Sequence, residues 1–146
     1  MRITHDVASE KPEQDFNVYD YFCNAAIKYS NKEALSDENQ SLSYHDLHLR
    51  CEAIGKNLRN IMGINKKIVG VFFERTIDHF VASLAILSSG NAFLPIDPDY
   101  PLERIKYIFE DSKINFIVTT AKLSHKLREC VGENISIICI DDEKKN

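Results

Sequence analysis

Four short apolar runs mark the second half of the chain: IVGVFF from Ile68, AFLPI from Ala92, INFIVTT from Ile114 and ISIICI from Ile135. They are continuous rather than alternating, the pattern of strands covered on both faces. Between them, apolar positions recur every three or four residues over about Thr76 to Ser89, Pro101 to Asp111 and Lys122 to Cys130, which is the helical period. Strand and helix therefore alternate, and right-handed crossovers then predict a mainly parallel sheet. The first of these helices is apolar at Ile77, Phe80, Val81, Leu84, Ala85 and Leu87, nearly all round, so protein is expected on both of its sides.

The first half reads differently. Residues 1–15 are polar, contain Pro12 and carry no periodicity, as a leader does. From Asn17 a helix is predicted to about Ser30, with Val18, Phe22, Ala25 and Tyr29 on one stripe and Asn17 and Asp20 as a capping pair. A small hairpin is expected around Glu38 and Asn39. SYHD, Ser43 to Asp46, is a helix-start signal: the Ser43 hydroxyl accepts from the Asp46 amide and the Asp46 carboxylate reaches back. The helix it opens carries Tyr44, Leu47, Cys51, Ile54, Leu58 and Ile61 on the stripe that should face the sheet, and Gly63 stands at its end. The predicted fold is α/β: a mainly parallel sheet of about four strands with helices on both faces, preceded by an N-terminal helix and a small β-hairpin.

One corner is unusually stiff. In AFLPIDPDYPLER the strand run stops at Asp97 and two prolines precede the next helix. Pro95 removes a ladder donor near the end of what reads as a buried strand, Pro98 biases Asp97 toward extended backbone, and Pro101 presets the dihedral that begins a helix. Glu103 suits the first turn, with Leu102, Ile105, Ile108 and Phe109 expected inward. In open parallel sheets ligands sit at the carboxyl ends of strands, so loops there are held still.

Composition changes this picture little. A length of 146 residues suits one core, and a net charge of -4 gives no broad attraction for nucleic acid. Cys23, Cys51, Cys130 and Cys139 lack zinc-finger or C-x-x-C spacing and read as reduced, mostly buried thiols. No apolar run approaches the roughly 20 residues that cross a bilayer, so no membrane partner and a cytoplasmic address are expected.

Two stretches resemble a known family. LSYHDL, with Leu42, Ser43, Tyr44, Asp46 and Leu47, is similar to an early motif, Leu-Thr/Ser-Tyr-x-Glu-Leu, of the adenylate-forming superfamily, with Asp46 in place of Glu. ILSSGNAFLPIDPDYPLERIKYIFEDS resembles the next motif of adenylation domains of nonribosomal peptide synthetases, with Gly90, Ala92, Pro95, Asp97, Pro98, Tyr100, Pro101 and Arg104 in place. It departs at Ser88-Ser89, where Lys-Ala is usual, and at Phe93, where Tyr is usual. The resemblance runs from Phe16 to Thr120 and implies a residue division of 1–15 leader, 16–141 N-terminal part of an adenylation (AMP-binding) domain and 142–146 tail.

It also implies a ligase that uses ATP and magnesium to turn an amino acid into an aminoacyl adenylate, then passes it to phosphopantetheine on a carrier domain. The rest of the adenylation domain and neighbouring condensation and carrier domains are the implied partners. The family's Gly/Ser/Thr-rich phosphate loop ending Pro-Lys-Gly does not occur in the sequence. The expectation is therefore an N-terminal portion without catalytic, cofactor-binding or metal residues, inactive alone. Alternatives are a non-catalytic remnant acting as a protein-interaction module, or the N-terminal part of an acyl-CoA synthetase; a flavodoxin-like or receiver domain lacks the acidic pocket and lysine it needs.

The remaining candidates have plainer readings. Asp97 and Asp99 form a turn rather than a metal pair, and His45, His48 and Glu52 read as exposed helix positions. Glu74-Arg75-Thr76 stands where anions bind, but Thr76 or a neighbour is expected to cap the helix. Apolar residues around Ile77 to Leu87 and the ISIICI strand predict self-association.

Overall fold

The computed structural model describes residues 17–141; the leader expected over 1–15 and the tail expected over 142–146 lie outside the described residues. Helix α1 (Val18–Lys28) leads into a hairpin, β1 (Glu33–Ser36) and β2 (Ser41–Ser43), and then into α2 (Tyr44–Met62). There follow β3 (Ile68–Phe72), α3 (Ile77–Ser88), β4 (Ala92–Ile96), α4 (Leu102–Ser112), β5 (Phe116–Thr119), α5 (Ala121–Arg128) and β6 (Ser136–Cys139). The last four strands make one parallel sheet in the order β4-β3-β5-β6, and β1 and β2 pair antiparallel. The predicted architecture is thus the observed one.

Alternation along β3 divides the interior into two cores. Val69 and Val71 join Leu47, Cys51, Leu58, Val81 and Ile86 of α2 and α3. Phe72 joins Ile105 and Phe109 of α4, Ile117 of β5 and Leu127 of α5 on the opposite face. Gly70 lies on that second side, where an added Cβ would meet Ile114 Cδ1 at 2.8 Å. Leu58 and Phe72 are fully buried, and removing a side chain of that size from water stabilises by about 1.5–3 kcal/mol.

Contact between α2 and α3 is closer than ordinary side chains allow. A Cβ on Gly55 would sit 1.8 Å from Ser88 Oγ and 3.0 Å from the Ala85 carbonyl oxygen. Ser88 Oγ in turn donates within this seam, at 2.9 Å to the Ala85 carbonyl and 3.4 Å to that of Cys51. The serine that departs from the family pattern thus fills the small space that Gly55 leaves.

Several local expectations are corrected. Tyr19 and Ala26, not Val18 and Tyr29, are the buried face of α1: α2 approaches from the side where Tyr19 donates to Glu52 Oε1 at 2.6 Å. The Asn17–Asp20 capping box forms as expected. At Ser43 the hydroxyl accepts from the Asp46 amide, but the Asp46 carboxylate bonds the same hydroxyl rather than the Ser43 amide. Met62 is buried where Ile61 was expected, and Ile61 is 54% exposed. On α4, Leu102 is exposed while Ile105 and Phe109 are buried. β4 is an edge strand with only Ile96 buried, because the crossover to β5 passes to the other side of β3. Only Cys51 of the four free thiols is fully buried, and burial pushes it up to about 12. Most of α3 is covered, with Ile77, Val81, Ala82, Ala85 and Ile86 buried and Phe80 half-exposed.

Candidate functional site

At the carboxyl ends of β3 and β4 a cavity of about 480 Å³ opens between Phe73, Glu74, Arg75, His79 and the Pro95–Tyr100 corner. The corner is a closed set of hydrogen bonds. Asp97 Oδ1 accepts from the Asp99 N–H at 2.9 Å, and the Asp97 carbonyl accepts from the Tyr100 N–H at 3.1 Å. This is an Asx turn within a β-turn, which engages one oxygen of the Asp97 carboxylate. Pro98 is buried, and its carbonyl receives the ammonium of Lys126 from α5. The Arg104 guanidinium lies 4.8 Å over the Tyr100 ring, a cation–π contact that fixes the first turn of α4 against the corner. Pro101 caps α4 from outside rather than opening it: its ψ of 144° is extended, and its carbonyl accepts from the Arg104 and Ile105 amides.

His79 borders the cavity. Burial lowers its pKa, only partly opposed by the Phe73 carbonyl and the Asp97 charge, and its buried Nδ1 has no hydrogen-bond partner. Its ring meets Phe73 and Phe80 edge-on at 6.4 and 5.8 Å, so the neutral imidazole acts as an aromatic packing element.

The helix ends facing this side are the natural places for a phosphate. Thr76 does not cap α3 with its side chain, which corrects the expectation. Asp37, from the hairpin turn, does so instead: its Oδ1 accepts from the Asn39 and Gln40 amides at 2.9 and 3.0 Å, and its Oδ2 accepts from the Ile77 N–H at 3.4 Å. These bonds, that of Asn39 foremost, lower the pKa of Asp37. At α5 the Thr120 hydroxyl accepts from Leu123 and Asp141 Oδ1 accepts from the Ala121 N–H at 2.8 Å. Asp141, the last described residue, thus caps α5. At both of these ends a carboxylate accepts from the first helical amide, whereas no side chain caps α4. Among the described residues no group of three acidic, histidine or cysteine side chains could hold a metal ion.

The LSYHDL stretch lies apart from the corner, at the junction of hairpin and α2. Leu42 packs on the α2–α3 core and Leu47 is buried in it, while Tyr44 stacks near Phe22 and Tyr29 at 6.4 and 6.2 Å. Gly90, with φ of 84°, turns the chain from α3 toward Ala92, whose N–H donates to the Lys67 carbonyl. His48 and Glu52 are half-buried under α1, with His48 Nδ1 3.9 Å from Cys23 Sγ, while His45 is exposed, so the three do not converge. Glu74 pairs with Lys122 at 3.3 Å in solvent, a contact worth about 0–1 kcal/mol. Asp37 and Lys126 could not be found from sequence, since each acts on a helix or turn far away in the chain; Asp37 carried only a turn-residue signal.

The profile of the AMP-binding enzyme family matches residues 22–146. The chain belongs to that family. It is 36% identical over 128 residues to tyrocidine synthase 2 of Brevibacillus parabrevis, covering 88% of this chain and 4% of that protein. Gramicidin S synthase 1 of Brevibacillus brevis is 35% identical over 113 residues, with 77% of this chain and 10% of the synthase covered. Among solved structures, the nonribosomal peptide synthetase FmoA3 in its α-methyl-L-serine-AMP bound form superposes with a TM-score of 0.82 at 24% identity, over 94% of this chain and 15% of that one. The N-terminal subdomain of Klebsiella oxytoca NpsA gives 0.75 at 19% identity, over 88% and 32%. These structural likenesses bear on fold, and the chain spans a small part of every relative named. No helix among the described residues is long and apolar enough to cross a membrane.

Proposed function

We propose that this chain is the first lobe of an amino-acid-activating adenylation domain of a nonribosomal peptide synthetase, and that it serves as scaffold. Its AMP-binding family and its peptide-synthase relatives support the subfamily. The observation that carries the scaffold role is the occupancy of the α3 and α5 N-termini by Asp37 and Asp141. A phosphate brought there would face a fixed negative charge where amide donors ought to be open.

In this reading Pro95, Asp97, Pro98, Tyr100, Pro101 and Arg104 hold the elbow at the carboxyl edge of the sheet. Leu42, Ser43, Tyr44, Asp46 and Leu47 lock hairpin and α1 onto α2, and Gly90 and Ala92 set the entry to β4. None touches reacting atoms. ATP and magnesium act on groups supplied by the rest of such a domain, and the phosphopantetheine thiol belongs to a carrier domain. The test is ATP–pyrophosphate exchange with the purified 146-residue chain and a panel of amino acids, together with calorimetric titration of magnesium ATP. Background exchange and no binding heat are expected; exchange above background, or saturable binding of the nucleotide, refutes the scaffold role.

A further inference from the structure

Each of the four parallel strands leaves the sheet through its own loop at the carboxyl end, and α5 meets all four loops. Thr120, directly after β5, caps the helix, its hydroxyl accepting from the Leu123 N–H. Its neighbour Thr119, fully buried, donates to the Phe72 carbonyl at the end of β3. From the end of β6, Asp141 accepts from the Ala121 N–H at 2.8 Å. Lys122 reaches Glu74, after β3, at 3.3 Å, and Lys126, a turn further along, donates to the carbonyl of buried Pro98, after β4. Leu127, fully buried, packs the helix into the core of Phe72, Ile105 and Ile117.

We infer that α5 is a brace for the elbow: Lys126 positions the Asp97–Tyr100 turn, and its hold depends on the Asp141 carboxylate at the other end of the helix. The bonds that Asp97 makes to the Asp99 and Tyr100 amides shape the turn from within. Lys126 ties that turn to an element 28 residues away, and a buried carbonyl deprived of its donor is costly. The helix that carries Lys126 has only eight residues, whereas isolated helices shorter than about 12–15 residues are marginal in water. Its first turn therefore relies on the caps from Thr120 and Asp141. Glu74 and the elbow are facing parts of the lining of the 480 Å³ cavity. In the scaffold reading above, on which this role rests, α5 holds them at a fixed separation. The Lys122–Glu74 pair is exposed and contributes little, so the weight falls on Lys126.

Amide hydrogen exchange of the 146-residue chain, followed residue by residue by NMR, reads the elbow at the Asp99 and Tyr100 N–H groups. Lys126→Met keeps the apolar stem and removes the donor. Both elbow amides should then exchange at least about tenfold faster, the factor expected for one lost charge-assisted bond, while the Asp20 amide in the α1 cap stays unchanged. Lys126→Arg should restore slow exchange, which a role in packing alone would not predict. Asp141→Ala should speed exchange at Leu123 and at Tyr100, yet add nothing at Tyr100 once Lys126 is replaced by methionine. Circular dichroism and the thermal transition establish that each variant is folded. The brace is overturned by elbow exchange that a folded Lys126→Met leaves unaltered, by failure of arginine to rescue it, or by Asp141→Ala acting on Leu123 alone. None of these measurements uses a nucleotide, so pyrophosphate exchange above background would refute the scaffold role and leave the brace standing.

Discussion

Replacing Gly55 by alanine tests how closely α2 and α3 are packed. Helix propensity alone predicts stabilisation by about 0.8–1 kcal/mol. The structure predicts the opposite. The new methyl would lie 1.8 Å from Ser88 Oγ, 3.2 Å from Ser88 Cβ and 3.0 Å from the Ala85 carbonyl oxygen. Rotating Ser88 relieves the first contact but gives up its bonds to the Ala85 and Cys51 carbonyls, a loss of about 0.5–1.5 kcal/mol. The contact with backbone oxygen is relieved only by separating the helices, and overpacking of this kind costs about 1–3 kcal/mol. Less the propensity gain, Gly55→Ala should destabilise by about 2 kcal/mol, or roughly 6–8 °C in Tm for a domain of this size. Denaturant unfolding of the single variants and of Gly55→Ala/Ser88→Ala closes a double-mutant cycle. Removing Ser88 Oγ should recover about 1 kcal/mol of the loss, leaving the part owed to the Ala85 carbonyl. A Gly55→Ala protein as stable as wild type, or a cycle without coupling, refutes the close-packed seam.

His79 makes stability pH-dependent in a definite sense. Burial holds its folded pKa below the ordinary value of 6.5, so the contribution is present above pH 6.5 and is lost as pH falls through 6.5 toward the folded pKa. His79→Phe should flatten that part of the stability–pH curve and remove the unpaired Nδ1; an unchanged slope counts against a buried neutral imidazole. Asp37 has the opposite chemistry and the same direction of loss: its folded pKa is lowered, so its contribution is present above the ordinary carboxylate range and disappears as acid protonates it. Asp37→Ala should lower Tm at neutral pH and speed exchange of the Ile77 amide; unaltered exchange there would mean that Asp37 does not cap α3.

How far the sequence reaches is clearest at the corner. DPDYP dictated a rigid turn locally, through proline dihedrals and an Asx side chain, and that turn is present. The same letters did not reveal that AFLPI lies at an edge or that Pro101 stands outside the helix, because strand order and the packing of α4 decide both. The stripe on α2 was readable because one face of a long helix packs on the sheet. That on α1 was misread because its neighbour is another helix, and the side of approach is set by Tyr19 and Glu52 together.

By itself, then, the sequence determined the succession of elements, the parallel sheet, the two helix caps at Asn17 and Ser43 and the family likeness, all of which depend on periodicity and on contacts within a few residues. The tertiary structure alone decided that Asp37 and Asp141 cap α3 and α5, that Lys126 secures Pro98, and that β4 and β6 stand outermost in the sheet of the described residues. Those features join groups separated by 20 to 40 residues. Such pairings depend on where the crossovers bring the chain, which no local pattern encodes.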